Sequence, residues 1–268
     1  YGVDLLETAI ARDPRNVVIS SHIASVLAAQ THLSIAELSS PSHISAARDA
    51  AMVVVDARTD DQLREWIFSF GLKRDILWVG SAGLAGALAA MMQTQGRTHT
   101  ARLLPGTRPI LVVVGSTHPT SREQLEALGD KRVQVSPTHL QAGSFALEQV
   151  IDQIIKALLH EGQAILTVDS FPMDGAIIED ALGEVVASVA AYLTAAPHLV
   201  LTGGDTARAV LKRLGIARLH IVGAVAPGIP IAETADGAMR VISKAGGFGT
   251  ADALLRAVRI LQERESET

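Results

Sequence analysis

Leu199-Val200-Leu201-Thr202-Gly203-Gly204-Asp205-Thr206 sets the reading of this chain: three apolar residues and a threonine run into two glycines, an acid and a second threonine. Beyond them, Ala207 to Leu214 places apolar residues at three- and four-residue intervals, so the stretch reads as a strand turning sharply into a helix. The same transition recurs at Val79-Gly80-Ser81-Ala82-Gly83, at Val114-Gly115-Ser116-Thr117 and at Ser243-Lys244-Ala245-Gly246-Gly247-Phe248-Gly249. Working outward, short β-branched runs predict strands over residues 17–20, 52–56, 76–79, 110–115, 133–136, 164–169, 199–202, 219–222 and 240–243. Helical spacing predicts helices over 61–70, 82–92, 121–128, 145–159, 177–193, 207–214 and 251–262. This alternation defines an α/β fold of three α/β/α layers with mostly parallel sheets. The near-continuous hydrophobicity of the strands calls for burial on both faces.

A polar stretch over residues 94–108, with Gly96, Pro105 and Gly106, separates two blocks, giving expected domains at 1–95 and 105–265. With 268 residues and 48% hydrophobic content the chain fills such cores. A net charge of −5 provides no basic field, so nucleic acid and anionic membrane are excluded as default partners in favour of a small molecule. No run approaches the roughly 18 apolar residues of a membrane span. The lack of cysteine removes disulfide and thiolate chemistry and fits a cytoplasmic location. Tyr1-Gly2-Val3-Asp4 has neither a starting Met nor a signal-peptide profile, so the chain reads as part of something longer.

In open α/β sheets ligands bind outside the carboxyl ends of the strands, where glycine turns let backbone N–H groups approach phosphate oxygens. Three of the four glycine turns fall in the second block, which is therefore the expected nucleotide site. The competing reading is local: glycine makes a tight turn, and Ser, Thr or Asp caps the helix that follows. For Gly203-Gly204-Asp205-Thr206 the two readings are balanced. In the first, Asp205 faces magnesium or a ribose and Thr206 donates to a phosphate; in the second, one of the two caps the helix. Lys244, at a strand end beside glycines, is either a phosphate counter-charge or a solvated lysine. Ala226-Pro227-Gly228-Ile229-Pro230 is stiff, suiting a pocket wall or a surface crossing. No turn matches a Walker A or a dinucleotide fingerprint, which demotes a nicotinamide enzyme. Nine histidines lack metal-site spacing and read as ordinary, so no metal ligands are assigned. Ser116 has no evident His and Asp partners for a hydrolase triad.

Taken in order, Gly80-Ser81-Ala82-Gly83-Leu84-Ala85, Val114-Gly115-Ser116, Thr202-Gly203-Gly204-Asp205-Thr206, Pro227-Gly228-Ile229-Pro230 and Lys244-Ala245-Gly246-Gly247-Phe248-Gly249 resemble the signature of the four-carbon acid sugar kinases. The resemblance spans most of the chain and is strongest over 111–254. It implies a C-terminal nucleotide-binding domain plus the end of an N-terminal substrate domain. The implied activity is phosphorylation, by ATP with magnesium, of a sugar acid of the threonate, erythronate or 3-oxo-tetronate type. By the same resemblance Ser116 contacts the nucleotide, Gly203, Gly204, Asp205 and Thr206 cradle it, and Gly246 approaches it. Ser81 and Gly83 then face the acid substrate or the transferred phosphate, with closure of a cleft near Pro105.

The aspartate-rich strand-end motif of that family's first domain is not found, so residues 1–95 resemble only the end of that domain. The expected chain supplies mainly the ATP site, with no general base identified. It binds nucleotide even if it phosphorylates nothing alone, and a homodimer stands open as its assembly. The rival readings are an NAD-dependent oxidoreductase of hydroxy acids and a non-catalytic nucleotide-binding module.

Overall fold

The computed structural model describes residues 3–8, 11, 17–73, 75–92, 108–129, 131–136, 139, 144–168 and 175–263, without the side chains of 144 and 145. Most of the polar linker expected over 94–108, including Pro105, lies outside these residues, as does Asp169. The chain divides into two compact units, Tyr1–Arg97 and Thr98–Thr268.

The first unit holds a parallel pair of strands, β1 (Ile35–Leu38) and β2 (Met52–Val55), with helices α1 (Ile23–Ala28), α2 (Asp60–Phe70) and α3 (Ala82–Met91). Thr59 starts α2 by accepting from the Gln62 N–H, with Asp60 and Asp61 complementing the helix dipole in the first turn. Trp66 of α2 is buried with Leu38 and Ala47, and its Nε1 donates to Asp56 O at 2.8 Å. Two strands expected from sequence are absent: 17–20 and 76–79 form no ladder. Val17 and Ile19 are each 71% exposed, and Leu77 and Val79 are 87% and 83% exposed. Their β-branched runs have strand propensity, but a strand exists only where a neighbour accepts its hydrogen bonds, and no described strand pairs with them.

The second unit is a seven-stranded sheet of β3 (Ile110–Val114), β4 (Val133–Val135), β5 (Gln163–Val168), β6 (His198–Thr202), β7 (Leu219–Ala226), β8 (Ile229–Thr234) and β9 (Arg240–Lys244). Their order is β4-β5-β3-β6-β9-β8-β7. The first five are parallel, and β8 and β7 run antiparallel as a hairpin beyond β9. Its helices are α4 (Pro119–Ala127), α5 (Ser144–Glu161), α6 (Gly175–Tyr192), α7 (Gly204–Arg213) and α8 (Ala253–Gln262).

All five residues of β3 and of β6 are buried, and alternate side chains enter opposite cores. Leu111, Val113, Leu199 and Leu201 pack with Ile154, Val185 and Val210 of α5, α6 and α7. Ile110, Val112, Val114 and Val200 pack with Leu125 of α4 and Leu254 and Val258 of α8. Two buried faces make the three layers and explain the unbroken apolar runs. β3 exits through α4 toward β4 on one side of the sheet, and β6 exits through α7 toward β7 on the other. The crevice at the carboxyl ends of β3 and β6 is therefore a topological switch point, the usual ligand position in such sheets.

Ala226-Pro227-Gly228-Ile229-Pro230 is the turn of the β7–β8 hairpin, with Gly228 at φ 77°. The strand over 229–234 was not legible because Pro230 argues against one. Pro230 is tolerated because β8 pairs with β9 only from Ile231 onward.

Candidate functional site

β3, β6 and β9 are neighbours, and each ends in a glycine turn, so three turns distant in sequence meet at one edge of the second unit. Side chains of one turn occupy the space above the glycines of another. A Cβ on Gly115 would collide with Thr206 Oγ1 and lie 3.0 Å from Thr206 Cβ and Cγ2. A Cβ on Gly203 would lie 3.1 Å from Thr206 Oγ1 and 3.5 Å from Ser116 N. A Cβ on Gly246 would collide with Ser116 Oγ and stand 3.0 Å from His118 Cβ. The hairpin turn joins the group, because the Phe248 ring packs on Gly228. Above Gly204 the space is open, with nothing within 4 Å of a Cβ there.

The start of α7 distinguishes the two local readings of its turn. Its N-cap is Gly203 at φ 104°, in the left-handed range that disfavours side chains, and no side chain caps the helix. Thr206 is instead buried between Gly115 and Gly203. Asp205 stands in the exposed first turn, 3.9 Å from Arg208.

Lys244 is 4% exposed rather than solvated. Its Nζ donates to Thr202 Oγ1 at 3.0 Å, to Gly246 O at 3.1 Å and to Ser121 Oγ at 3.4 Å, all neutral acceptors. Burial pushes its ammonium down to about 8. Ser121 Oγ donates to Gly246 O at 2.8 Å, and Gln124 Nε2 donates to Phe248 O and Thr250 O at 3.0 and 2.9 Å. One face of α4 thus holds the glycine loop after β9 by its carbonyls. Ser121 and Gln124 escaped the sequence reading because they sit inside a helix. Their small and amide side chains at i, i+3 on an otherwise apolar face were the available signal.

Ser116, Gly203, Gly204, Asp205, Thr206, Lys244 and Gly246 all lie in this region of the second unit. Ser81 and Gly83 belong to the first. Ser81 is the N-cap of α3 without a side-chain cap bond, and a Cβ on Gly83 would lie 3.3 Å from Leu63 Cδ1.

A nucleotide would find room at this edge above Gly204, where α4 and α7 both begin. No cluster of three or more His, Asp or Glu suited to a metal occurs among the described residues. No described helix is long and apolar enough to cross a membrane.

This is the fold of a nucleotide-binding α/β domain, and residues 111–254 match the family of the nucleotide-binding C-terminal domain. Residues 1–88 match the sugar-binding N-terminal domain. The chain belongs to the four-carbon acid sugar kinase family. It is 32% identical to a D-threonate kinase of Bordetella bronchiseptica over 96% of this chain and 64% of that protein. It is 30% identical to a D-threonate kinase of Salmonella typhimurium over 98% of this chain and 69% of that protein. The chain thus spans between about half and just over two thirds of the length of the D-threonate kinases it matches.

A crystal structure from Salmonella typhimurium LT2 shares the fold at TM-score 0.72 and 18% identity, covering 96% of this chain and 67% of that one. A Bordetella bronchiseptica structure, a domain-swapped dimer with bound citrate, is 28% identical at TM-score 0.52, covering 98% and 66%.

Proposed function

We propose that the second unit binds ATP at the carboxyl ends of β3, β6 and β9, and that the chain serves phosphorylation of a four-carbon sugar acid of the threonate type. The observation that carries this is the closure of the turns on one another, which puts Ser116, Gly203, Thr206 and Gly246 around a single patch of glycine backbone. Phosphoryl transfer asks a protein chiefly to position its substrates and offset charge. Backbone N–H groups of the glycine turns orient the phosphates, Lys244 supplies positive charge beneath the loop, and Asp205 faces the nucleotide's magnesium. The first unit carries Ser81 and Gly83 as its residues for the acid, in keeping with its match to the sugar-binding domain. D-threonate is the first substrate to test, since both relatives above are D-threonate kinases. A homodimer is the expected assembly, by analogy with the dimeric Bordetella protein. Light scattering that returns a monomer mass would count against it.

The test is calorimetric titration with ATP and magnesium, with NADH and magnesium-free controls, beside a kinase assay on D-threonate and D-erythronate. Saturable ATP binding that Asp205→Ala weakens supports the reading. NADH binding without ATP binding would replace it with a nicotinamide site, and an Asp205→Ala variant of unchanged affinity would remove that residue from it.

A further inference from the structure

We infer that His118 donates a hydrogen bond from Nε2 to a phosphate oxygen of the bound nucleotide, a residue that neither the sequence reading nor the family resemblance places at the site. The inference rests on the nucleotide reading of this edge. His118 is the N-cap of α4, and its Nδ1 accepts from the Thr120 N–H at 3.2 Å. A ring nitrogen that accepts carries no proton, so the neutral imidazole holds its proton on Nε2. The backbone N–H of His118 donates to Ser116 Oγ at 3.2 Å, tying the ring to the serine of the β3 turn.

Two glycines leave room for this ring. A Cβ on Gly247 would lie 3.1 Å from Nε2 and 3.2 Å from Cε1, and one on Gly246 would lie 3.0 Å from His118 Cβ. Nε2 has no hydrogen-bond partner among the described residues. A nucleotide that touches Ser116 and Gly246 lies beside this ring, because those residues are its immediate neighbours. An N–H donor over a glycine loop, with the buried Lys244 ammonium beneath it, matches an anionic oxygen better than an apolar group or a second donor. Histidine at 118 passes as ordinary in sequence because its task depends on glycines about 130 residues away.

The experiment compares the whole chain with His118→Asn. Asparagine keeps an acceptor for the Thr120 N–H and preserves the cap, but its amide is too short to reach the position of Nε2. Calorimetry is run with ATP, AMP and adenosine, and melting temperature is followed throughout. The expected result is unchanged melting, a loss of roughly 10- to 100-fold in ATP affinity, and unchanged affinity for adenosine. ATP binding equal to the wild type overturns the contact, and an equal loss for adenosine moves it to the nucleoside and overturns the phosphate assignment. Failure of the wild type to bind ATP overturns the nucleotide reading together with this contact. His118→Ser, which also caps, repeats the test if the asparagine variant does not fold.

Discussion

Lys244→Met should make the protein more stable near pH 7 while weakening nucleotide binding. The buried ammonium falls from an ordinary 10.5 to about 8, with burial as the cause, which corresponds to roughly 3 kcal/mol of destabilised charge. Removing it leaves no orphaned acceptor. Ser121 Oγ still donates to Gly246 O at 2.8 Å, and Thr202 Oγ1, 3.4 Å from Ser121 Oγ, can donate to it in turn. The sign with pH follows from proton counting. Between about pH 8 and 10.5 the unfolded chain still holds a lysine proton that the folded chain has released, so wild-type stability rises with pH across that window. Below pH 8 both states are protonated and the full penalty remains. The variant lacks this rise, and its advantage of up to about 3 kcal/mol near neutrality should vanish near pH 10.5. Urea denaturation of both proteins at several pH values from about 7 to 10.5 measures this, with ATP titration alongside. A variant less stable than the wild type near pH 7, with a gap that does not change with pH, would refute the reasoning. The lysine would then be a stabilising hydrogen-bond hub.

His198, 4% exposed, accepts from the Arg240 N–H at 3.0 Å and is pushed down to about 4, first by burial and then by the Arg108 and Arg240 charges. The unfolded chain takes up this proton near the ordinary 6.5, so the contribution present above 6.5 is lost as pH falls toward 4 and amounts to roughly 3 kcal/mol. Acid titration of stability should show this loss and His198→Gln should flatten it; an unaltered profile in the variant would assign the loss to other groups. Gly115→Ala drives a methyl into the buried Thr206 and should cost about 1–3 kcal/mol, measurable by denaturation. Adding Thr206→Ala should recover most of that stability without restoring ATP affinity, whereas additive losses would mean the two residues do not share the space.

The second unit was legible because its strands carry the signature of burial on both faces. In β3 and β6 every residue from Ile110 to Val114 and from His198 to Thr202 is inside, and such runs leave little freedom of assignment. The first unit was less so. The runs at 17–20 and 76–79 have the same composition, yet the described structure gives them no neighbour to pair with, and pairing is a non-local property that propensity does not contain. The strand β1 over Ile35–Leu38 was missed for the opposite reason, since Ala36 and Glu37 dilute its pattern while β2 supplies its ladder.

The site was legible as residue types at strand ends but not as a set of contacts, and the glycines show why. Gly129, Gly162, Gly215 and Gly237 have positive φ with nothing within 4 Å of a Cβ, so local turn geometry accounts for them. Gly115, Gly246 and Gly247 have no such backbone need. They are crowded by Thr206, Ser116 and His118 from other turns, and glycine is there because a Cβ would occupy space already filled. Both kinds read alike in sequence, as a glycine at or beyond the end of an element. What separates them is a neighbour some 90 to 130 positions away. Glycines selected for space rather than for φ occur where one backbone must lie against another turn's side chains, which makes the edge shared by β3, β6 and β9 a built surface rather than a row of independent turns.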